Sequence, residues 1–396
     1  MKHSGGALAA ILAICAASLG ACAGPTAPLS GRSEPGSAVT NASAASPIYK
    51  TLLTFDGTNG SDSVANLIVL DGTLYGTTYS GGPLNDGMVF SLTTVGDQQV
   101  LHTFGASRDG AEPFGGVIAL DNTLIGTTTK GGKKNFGTVF TVTTAGKYHI
   151  LYGFGKHAHD GKNPMASVVA VDGTLYGTTF KGGVNDKGTA FAVSSAGKEL
   201  WLHSFGTSGD GTRPYAALTS VNGKLYGTTT AGGTTGKGTV FTLSTSGSES
   251  VLYSFAGGSD GAHPQSALRA VHGTLYGTTY GGGAHGKGTV FSITPAGNEQ
   301  VLHSFAGGPA DGAFPFSGLI LSGNVLYGTT TAGGTHDQGT AFSITESGSE
   351  NVSYSFGYRK DGRAPFAGLT VLGGAFYGAT ASGGSDKIGT IFRLTP

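Results

Sequence analysis

The sequence repeats itself seven times, and this repetition constrains the fold more than any other feature of the chain. A segment of the form Leu-Tyr-Gly-Thr-Thr recurs every 50 or 51 residues, starting at Leu74, Leu124, Leu175, Leu225, Leu275, Leu326 and Phe376. Two further markers, commonly Gly-Thr-Val-Phe and Leu-His-Ser-Phe, recur in the same phase. They end at Phe90, Phe140, Phe191, Phe241, Phe291, Phe342 and Phe392, and at Phe55, Phe104, Phe154, Phe205, Phe255, Phe305 and Phe356, respectively.

Each repeat contains four runs of residues that favour β-strands. In residues 214–255 these runs are rich in Val, Leu, Tyr, Phe and Thr, and turns that contain glycine separate them. Four antiparallel strands in a unit of this length are typical of a β-propeller blade. A parallel β-helix is the competing fold, but its coils are shorter and contain no hairpins. We therefore predict an all-β fold for residues 48–396, a seven-bladed β-propeller of four-stranded antiparallel blades.

The two ends of the repeat array are complementary. The array starts at Ile48 with a strand of the outermost type and stops at Pro396 after a strand of the third type. We therefore expect the N-terminal strand to complete the last blade and so close the ring, which removes two exposed sheet edges. We also expect the Gly and Thr residues of the Leu-Tyr-Gly-Thr-Thr marker to let one blade approach the next.

The first 21 residues have the order of features that secretory signals show. Lys2 precedes an apolar run over residues 7–19, which is too short to span a membrane as an ordinary helix. The run ends in the sequence LGAC, which closes on Cys22 and resembles the lipobox of bacterial lipoproteins. The resemblance implies removal of residues 1–21 and a lipid on Cys22, with the outer membrane, facing the periplasm or the cell surface, as the expected location. The alternative is an ordinary signal peptide with an incidental cysteine.

Residues 22–47 are small, polar and interrupted by proline, with almost nothing to bury. They are predicted to form a flexible linker between the lipid and the propeller. The protein is thus expected to contact a membrane only through its anchor.

The complete repeat, LYGTT…GG…GTVF…G…LHSF…DG…P, resembles the GloVer tandem repeat of "choice-of-anchor" bacterial exported proteins. This resemblance covers residues 48–396 and implies a place in the cell envelope, but no established activity. Kelch-like propellers resemble the repeat more loosely, because it lacks their repeated tryptophan: Trp201 is the only one in the chain.

Composition and motifs exclude several kinds of function. The 23 basic residues equal the 23 acidic ones in number, so no basic surface for nucleic acid is expected. Residues 281–286 fit a dinucleotide-binding pattern and residues 257–261 fit a nucleophile-elbow pattern, but neither stretch precedes a helix. We therefore predict no cofactor and no catalytic residue.

A metal site is not expected either, although two patterns offer ligand types. His157, His159 and Asp160 are interpreted as an exposed loop cluster, with a metal site as the alternative. A recurring Asp-Gly pair in the loop between repeats is interpreted as a turn anchor, with calcium binding as the alternative. Its acidic members are Asp109, Asp160, Asp210, Asp260, Asp311 and Asp361.

The residues that flank the loop proline vary from repeat to repeat. Strand order places the two longer loops of every blade on one face, called the top face here. Variation at a fixed position there is where ligand-specific chemistry is expected. The predicted ligand-binding residues are Glu112, Asn163, Arg213, Tyr215, His263, Phe316 and Phe366. The aromatic members have an alternative role, which is to plug the loop against the innermost strand.

Two functions remain open from the sequence. The first is a binding or scaffold module for a glycan, peptide or protein ligand. The second is an envelope hydrolase or lyase that acts on polysaccharide. An enzyme would require Glu112, Arg213 and His263 to converge in one pocket.

We predict that Cys22 carries the lipid. Cells grown with labelled palmitate should label the wild-type protein, and Cys22→Ser should abolish the label because the thioether needs the thiol. Cys15→Ser provides the control, since Cys15 lies within the segment that would be removed. Equal labelling of Cys22→Ser and wild type would contradict lipidation at this residue.

Overall fold

The computed structural model describes residues 47–105 and 108–395. The predicted signal peptide, the linker up to residue 46 and Cys22 lie outside this range. Within it, every regular element is a β-strand. The described residues include no helix that is long and apolar enough to cross a bilayer.

The chain forms seven four-stranded antiparallel blades, as predicted. Strands A to D of each blade are lettered from the central channel outwards. Their bounds are Ile68–Leu70, Thr73–Thr78, Met88–Leu92 and Gln98–Thr103 in blade 1; Ile118–Leu120, Thr123–Thr128, Thr138–Thr143 and Tyr148–Gly153 in blade 2; Val169–Val171, Thr174–Thr179, Thr189–Ser194 and Glu199–Ser204 in blade 3; and Thr219–Val221, Lys224–Gly232, Thr239–Leu243 and Glu249–Ser254 in blade 4. In blades 5 to 7 they are Arg269–Val271, Thr274–Gly282, Thr289–Ile293 and Glu299–Ser304; Ile320–Ser322, Val325–Thr330, Thr340–Thr345 and Glu350–Ser355; and Thr370–Leu372, Ala375–Thr380, Thr390–Thr395 and Ile48–Thr54.

Short ribbons join the D–A and B–C loops, which places both loops of every blade on the top face, as expected. The amide of Glu112 in a D–A loop donates to the carbonyl of Asp86 in a B–C loop at 2.8 Å. The ribbons pair Gly110–Ala111 with Lys130–Gly131, Gly161–Lys162 with Lys181–Gly182, Gly211–Pro214 with the end of strand B in blade 4, Gly261–Pro264 with the end of strand B in blade 5, Gly312–Ala313 with Ala332–Gly333, and Gly362–Arg363 with Ser382–Gly383. The A–B and C–D turns therefore lie at the bottom.

A pair of phenylalanines joins each blade to the next. The ring of Phe205, after strand D of blade 3, meets the ring of Phe241 in strand C of blade 4 edge-on, with centroids 5.1 Å apart. Both side chains are fully buried. The equivalent pairs are Phe55–Phe90, Phe104–Phe140, Phe154–Phe191, Phe255–Phe291, Phe305–Phe342 and Phe356–Phe392. The two phenylalanine markers of the repeat thus form the contact between blades.

The glycine of the Leu-Tyr-Gly-Thr-Thr marker acts within a blade rather than between blades, which corrects the expectation from sequence. Gly227 pairs with Phe241 across strands B and C. A Cβ atom on Gly227 would lie 2.4 Å from Cζ of Phe241 and 2.8 Å from Leu218, both in blade 4. Glycine is therefore required because the phenylalanine ring of strand C lies over strand B.

The first threonine of the marker does join neighbouring blades. The hydroxyl of Thr228 donates to the carbonyl of Ser266 in the next blade at 3.1 Å. The second threonine instead bonds within its blade: the hydroxyls of Thr229 and Thr239 lie 2.8 Å apart. Blade 1 departs from this pattern, because Met88 takes the place of the strand C threonine. The buried hydroxyl of Thr78 consequently has no hydrogen-bond partner among the described residues.

The N-terminal strand closes the ring, as predicted. Ile48–Thr54 pairs antiparallel with Thr390–Thr395, and Ile48 lies opposite Thr395. The ring of Tyr49 stacks on Tyr354 of blade 6, with centroids 4.7 Å apart and an interplanar angle of 7°. Its hydroxyl also accepts the amide of Gly362 at 3.2 Å. The first strand therefore contacts the last two blades.

Deletion of residues 48–55 should lower the melting temperature sharply or cause aggregation. The deletion exposes a sheet edge and removes the buried Phe55, at a cost of several kcal/mol from burial at about 25 cal/mol per Å². Differential scanning calorimetry measures the effect. Deletion of the eight residues 38–45 in the predicted linker is the control and should leave the melt unchanged. An unchanged melt for the 48–55 deletion would contradict closure by this strand.

Candidate functional site

A ring of seven residues surrounds the channel on the top face, and their backbones share one conformation. Each has a φ from 48° to 57°, the left-handed region that non-glycine residues seldom adopt. Each backbone amide donates to a carbonyl in the B–C loop of the preceding blade. These rim residues are Asp62, Glu112, Asn163, Arg213, His263, Phe314 and Ala364. The backbone is thus fixed while the side chain varies.

Glu112 is held by two neighbours on the rim. Its Oε2 accepts a hydrogen bond from the hydroxyl of Tyr79 at 2.7 Å. Its Oε1 lies 2.8 Å from Nζ of Lys130. Both of its carboxylate oxygens therefore already have partners within blades 1 and 2.

The other predicted rim residues pack against the strand B ends of the preceding blades. Nδ1 of His263 lies 2.9 Å from the carbonyl of Thr230, which makes Nδ1 the donor. The side chain is buried, and burial lowers the pKa of this imidazole. Nδ2 of Asn163 donates to the carbonyl of Thr129 at 2.9 Å, and the guanidinium of Arg213 lies 5.8 Å from the centroid of Phe180. Glu112 and His263 are therefore engaged on different blades.

The residues after the loop proline converge and close the channel mouth. Tyr215 lies between Phe114 and Phe316, with ring centroids 5.4 and 5.5 Å away, and Phe366 packs on Phe316 at 4.9 Å. The predicted ligand residues Tyr215, Phe316 and Phe366 are each 5% exposed or less. This aromatic plug also contains Val64, Tyr79, Met165, Phe180, Tyr280 and Ala381. The packing matches the alternative role that the sequence left open for the aromatic residues, and ligand binding through them stays a prediction.

A cavity of about 380 Å³ lies in the channel below the plug. Its walls are the segments that lead into strand A, rich in small residues such as Gly116, Ala217 and Gly318. Arg269 is the charged residue among those that line it. The cavity therefore presents mostly backbone and methyl groups.

Two clefts on the top face concentrate positive charge. The first, about 460 Å³ in volume, is lined by Arg108, Lys133, Lys134 and Lys156 at blade 2. The second, about 430 Å³, is lined by Arg359, Lys360, Arg363 and Lys387 between blades 6 and 7. Asp361 is the acidic residue in the lining of the second cleft. These clefts hold eight of the 23 basic residues of a chain with no net charge.

The recurring Asp of the interblade loop anchors its own turn, as predicted. Oδ2 of Asp260 accepts the amide of Ala256 at 2.7 Å, and Oδ1 accepts the amide of Gly261 at 2.6 Å. The first repeat differs: Asn59 precedes the equivalent Gly60, and Asp62 takes the rim position. In the cluster near Asp160, His157 and His159 are exposed, as interpreted from the sequence, whereas Asp160 is buried.

Each anchoring Asp also belongs to a set of three polar side chains at a blade junction, which sequence reasoning missed. A His or Tyr comes from strand D of one blade, and a Glu or Tyr from the start of strand D in the next. The sets are His102–Asp109–Tyr148, Tyr152–Asp160–Glu199, His203–Asp210–Glu249, Tyr253–Asp260–Glu299, His303–Asp311–Glu350 and Tyr354–Asp361–Tyr49. The signal was available as a Glu that recurs at the same repeat position four times.

The glutamates of these junction sets hold protons more tightly than usual. Burial, followed by the charge of the adjacent Asp, raises the pKa of Glu249, Glu299 and Glu350 to about 7. At the Asp311 junction the hydrogen bond from His303 contributes to keeping the pKa of Asp311 below its usual value. At this junction the carboxyl group of Glu350 therefore holds its proton more tightly than that of Asp311.

The Gloeobacter/Verrucomicrobia repeat matches the chain in overlapping segments, residues 26–138, 97–269, 135–342 and 223–396. The chain belongs to this repeat family. No curated protein matches it.

Several solved propellers share the fold of this repeat protein at low sequence identity. Virginiamycin B lyase from Staphylococcus aureus is 12% identical with a TM-score of 0.58, over 88% of this chain and 99% of the lyase. A putative 6-phosphogluconolactonase from Bacteroides uniformis is 15% identical with a TM-score of 0.51, over 78% and 90%. Puromycin hydrolase is 12% identical with a TM-score of 0.54, over 81% of this chain and 50% of that one. These similarities show the fold alone.

Replacing Glu299 by Gln should flatten the dependence of stability on pH. The pKa of Glu299 is about 7 in the folded protein against 4.5 ordinarily, so the folded state keeps a proton that the unfolded chain releases. The proton on Glu299 therefore stabilises the folded state fully below the unfolded-chain pKa of 4.5, and this stabilisation is lost as the pH rises through the folded-state pKa of about 7. The wild-type melting temperature should thus fall between about pH 5 and pH 8, and less so for Glu299→Gln, which stays neutral.

Thermal melts across this range measure the effect. Asp121→Asn is the control, because Asp121 is exposed at a bottom turn and Asn tolerates its positive φ. It should follow the wild-type profile. A Glu299→Gln profile as steep as that of wild type would mean that Glu299 is ionised in the folded protein throughout.

Proposed function

We propose that this protein is a lipid-anchored binding module of the bacterial cell envelope that holds an acidic polysaccharide on its top face. The observation that carries the proposal is the pair of clefts lined by Arg and Lys. Their ligand is expected to be a carboxylate-bearing glycan, because guanidinium and ammonium groups pair with carboxylates and the cleft volumes suit a few sugar residues.

The charge of the two faces supports this orientation. The eight basic residues of the clefts lie on top, whereas the bottom turns carry exposed acidic residues such as Asp71, Asp97, Asp121 and Asp172. The bottom turns mix these acidic residues with Lys147, Lys198 and Lys224, so positive charge is concentrated only in the clefts on top. A polyanion would be attracted there, and the net charge of zero offers no general attraction.

The expected position of the anchor supports the same orientation. Strand D runs from bottom to top, so Ile48 lies at the bottom of blade 7, beside Thr395. The linker that leads back to Cys22 therefore joins the propeller at its bottom face. A tether attached there leaves the basic clefts on the side away from the membrane.

The alternative, a polysaccharide hydrolase or lyase, receives less support from the rim. The carboxylate of Glu112 is paired with Tyr79 and Lys130, and the imidazole of His263 is buried against Thr230. A general acid or base must reach the substrate, and these contacts hold the two groups on separate blades. The lyase and lactonase propellers resemble this chain only in fold, so their activities assign no catalytic residues to it.

Polygalacturonate, with dextran as the neutral comparison, tests the proposal. The full-length protein should bind the acidic polymer in isothermal titration calorimetry, and added salt should weaken the binding because it screens the charges. The triple variant Arg359→Ala, Arg363→Ala, Lys387→Ala should lose at least about tenfold in affinity, roughly 1.4 kcal/mol. All three side chains are exposed, so the melting temperature should not change.

The matched control removes the same charge from the bottom turns through Lys147→Ala, Lys198→Ala and Lys224→Ala. This variant should bind as wild type. Loss of affinity in the bottom variant with retention in the top variant would show that the wrong face has been assigned. Equal binding of dextran and polygalacturonate would refute recognition by charge.

A further inference from the structure

The junction set between blades 3 and 4 combines an imidazole with two carboxylates that do not satisfy one another. Nε2 of His203 lies 3.7 Å from Oδ2 of Asp210, which is too far for a hydrogen bond. One ligand atom each of His203, Asp210 and Glu249 lie within 4.8 Å of one another. Within the described ranges, Nε2 of His203, Oδ1 of Asp210 and Oε1 of Glu249 are buried without a hydrogen-bond partner.

Buried polar atoms are rarely left unpaired, so the cluster is expected to hold a partner. Asp210 is only 7% exposed. At the equivalent position of the next repeat, both carboxylate oxygens of Asp260 accept backbone amides. Oδ2 of Asp210 does accept the amide of Gly206 at 3.0 Å, which fixes the orientation of the carboxylate. The remaining oxygen has no such donor.

The neighbouring junctions show what fills this space when the first residue is Tyr. The hydroxyl of Tyr152 lies 2.9 Å from Oδ2 of Asp160 and 3.1 Å from Oε2 of Glu199, and so bridges the two carboxyl groups. The imidazole of His203 makes no such bridge, because its Nε2 lies 3.7 Å from Oδ2 of Asp210 and has no hydrogen-bond partner among the described residues. The three ligand atoms lie within 4.8 Å of one another, and buried atoms of all three residues lack a hydrogen-bond partner among the described residues.

The other junction with the same three residue types is closed differently. Nε2 of His303 lies 3.2 and 3.3 Å from the two oxygens of Asp311, a direct ion pair. That carboxylate also accepts the amides of Ala306 and Gly312. The imidazole–carboxylate pair that forms at His303 is open at His203. Oε1 of the third residue, Glu350 or Glu249, lacks a hydrogen-bond partner at both junctions among the described residues.

The ligand types and spacing at His203 fit zinc. Zinc binds imidazole nitrogen and carboxylate oxygen at about 2.0–2.2 Å, so two ligands of a tetrahedral ion lie roughly 3.4 Å apart. The separation of 3.7 Å between Nε2 of His203 and Oδ2 of Asp210 is close to this distance. Calcium and magnesium require six or more oxygen ligands, which three side chains with one nitrogen do not supply.

The site is supported by its surroundings. The ring of His203 packs edge-on against Phe205, with centroids 4.8 Å apart, which holds the imidazole in place. His203 and Asp210 belong to strand D and the following loop of blade 3, whereas Glu249 starts strand D of blade 4. An ion bound to all three would add a direct link between strand D of blade 4 and the strand D–loop segment of blade 3.

We propose that His203, Asp210 and Glu249 bind a zinc ion that cross-links blades 3 and 4, with water in the fourth position. The ion neutralises the two carboxylates and pairs each of the three orphaned atoms. Its role is structural, because it lies between two blades, away from the channel and from the basic clefts.

Zinc titration of the chelator-treated full-length protein tests the proposal. Calorimetry should show one tight site, and saturating zinc should raise the melting temperature because the ion binds only the folded state. Cobalt should give the visible absorption of a tetrahedral site, and excess magnesium should not displace it. His203→Tyr rebuilds the arrangement of the neighbouring junctions, so this variant should fold normally and lose both the tight site and the thermal shift.

His303→Tyr is the matched control and should retain the site, since it makes the same substitution at the closed junction. Glu249→Gln gives a second test of the site should His203→Tyr prove unstable, and it should weaken zinc binding at least about tenfold. Zinc binding that survives both His203→Tyr and Glu249→Gln would overturn the proposal. So would a wild-type protein that takes up no zinc.

Discussion

The edge-on contact between two phenylalanines is the interaction on which the ring depends. One ring closes strand D of a blade and the other lies in strand C of the next, and the contact recurs at all seven junctions. Such a pair contributes about 0.5–1.5 kcal/mol beyond the burial of its surface. The glycine of strand B follows from it, because any side chain at Gly227 would meet the ring of Phe241. The most regular residues of the repeat, its two phenylalanines and the glycine of strand B, thus form one contact and leave the space that it needs.

At each rim position of the top face, the backbone conformation is fixed while the side chain varies from blade to blade. The amide of every rim residue is bonded to the preceding blade, and its φ is fixed in the left-handed region. The side chain has no part in this bonding, so Glu, Asn, Arg, His and Phe can occupy the same position. The residue two places later is not free in this way, since it enters the plug of Tyr215, Phe316 and their neighbours. Variation along a repeat therefore identifies a permissive position, but only packing shows whether its side chain reaches solvent.

Sequence reasoning succeeded where the information is periodic. The blade count, the strand order and closure by Ile48–Thr54 all follow from the phase of the markers, and the anchoring role of Asp260 follows from its Asp-Gly turn. It did not reveal contacts between repeats, because Asp210 and Glu249 lie 39 positions apart and belong to different units. The basic clefts were not predicted from the sequence for a similar reason, because Arg359 and Lys387 come together only when blades 6 and 7 are assembled. The net charge of zero concealed them as well.

Several departures from the repeat lie at one junction, between blade 1 and blade 7, the blade in which the two ends of the repeat array pair. Ala379 replaces the threonine whose hydroxyl elsewhere reaches the next blade, and the phenylalanine pair Phe55–Phe90 is wider, at 6.0 Å, than the others at 5.0–5.2 Å. Another bond across this junction compensates: the amide of Gly368 donates to Oδ1 of Asn66 at 2.6 Å. Strands A to C of blade 7 and the strands of blade 1 are far apart in sequence, and bringing distant segments together costs loop-closure entropy. These irregular residues therefore lie beside the pairing of Ile48–Thr54 with Thr390–Thr395, the contact of the ring whose two strands are farthest apart along the chain.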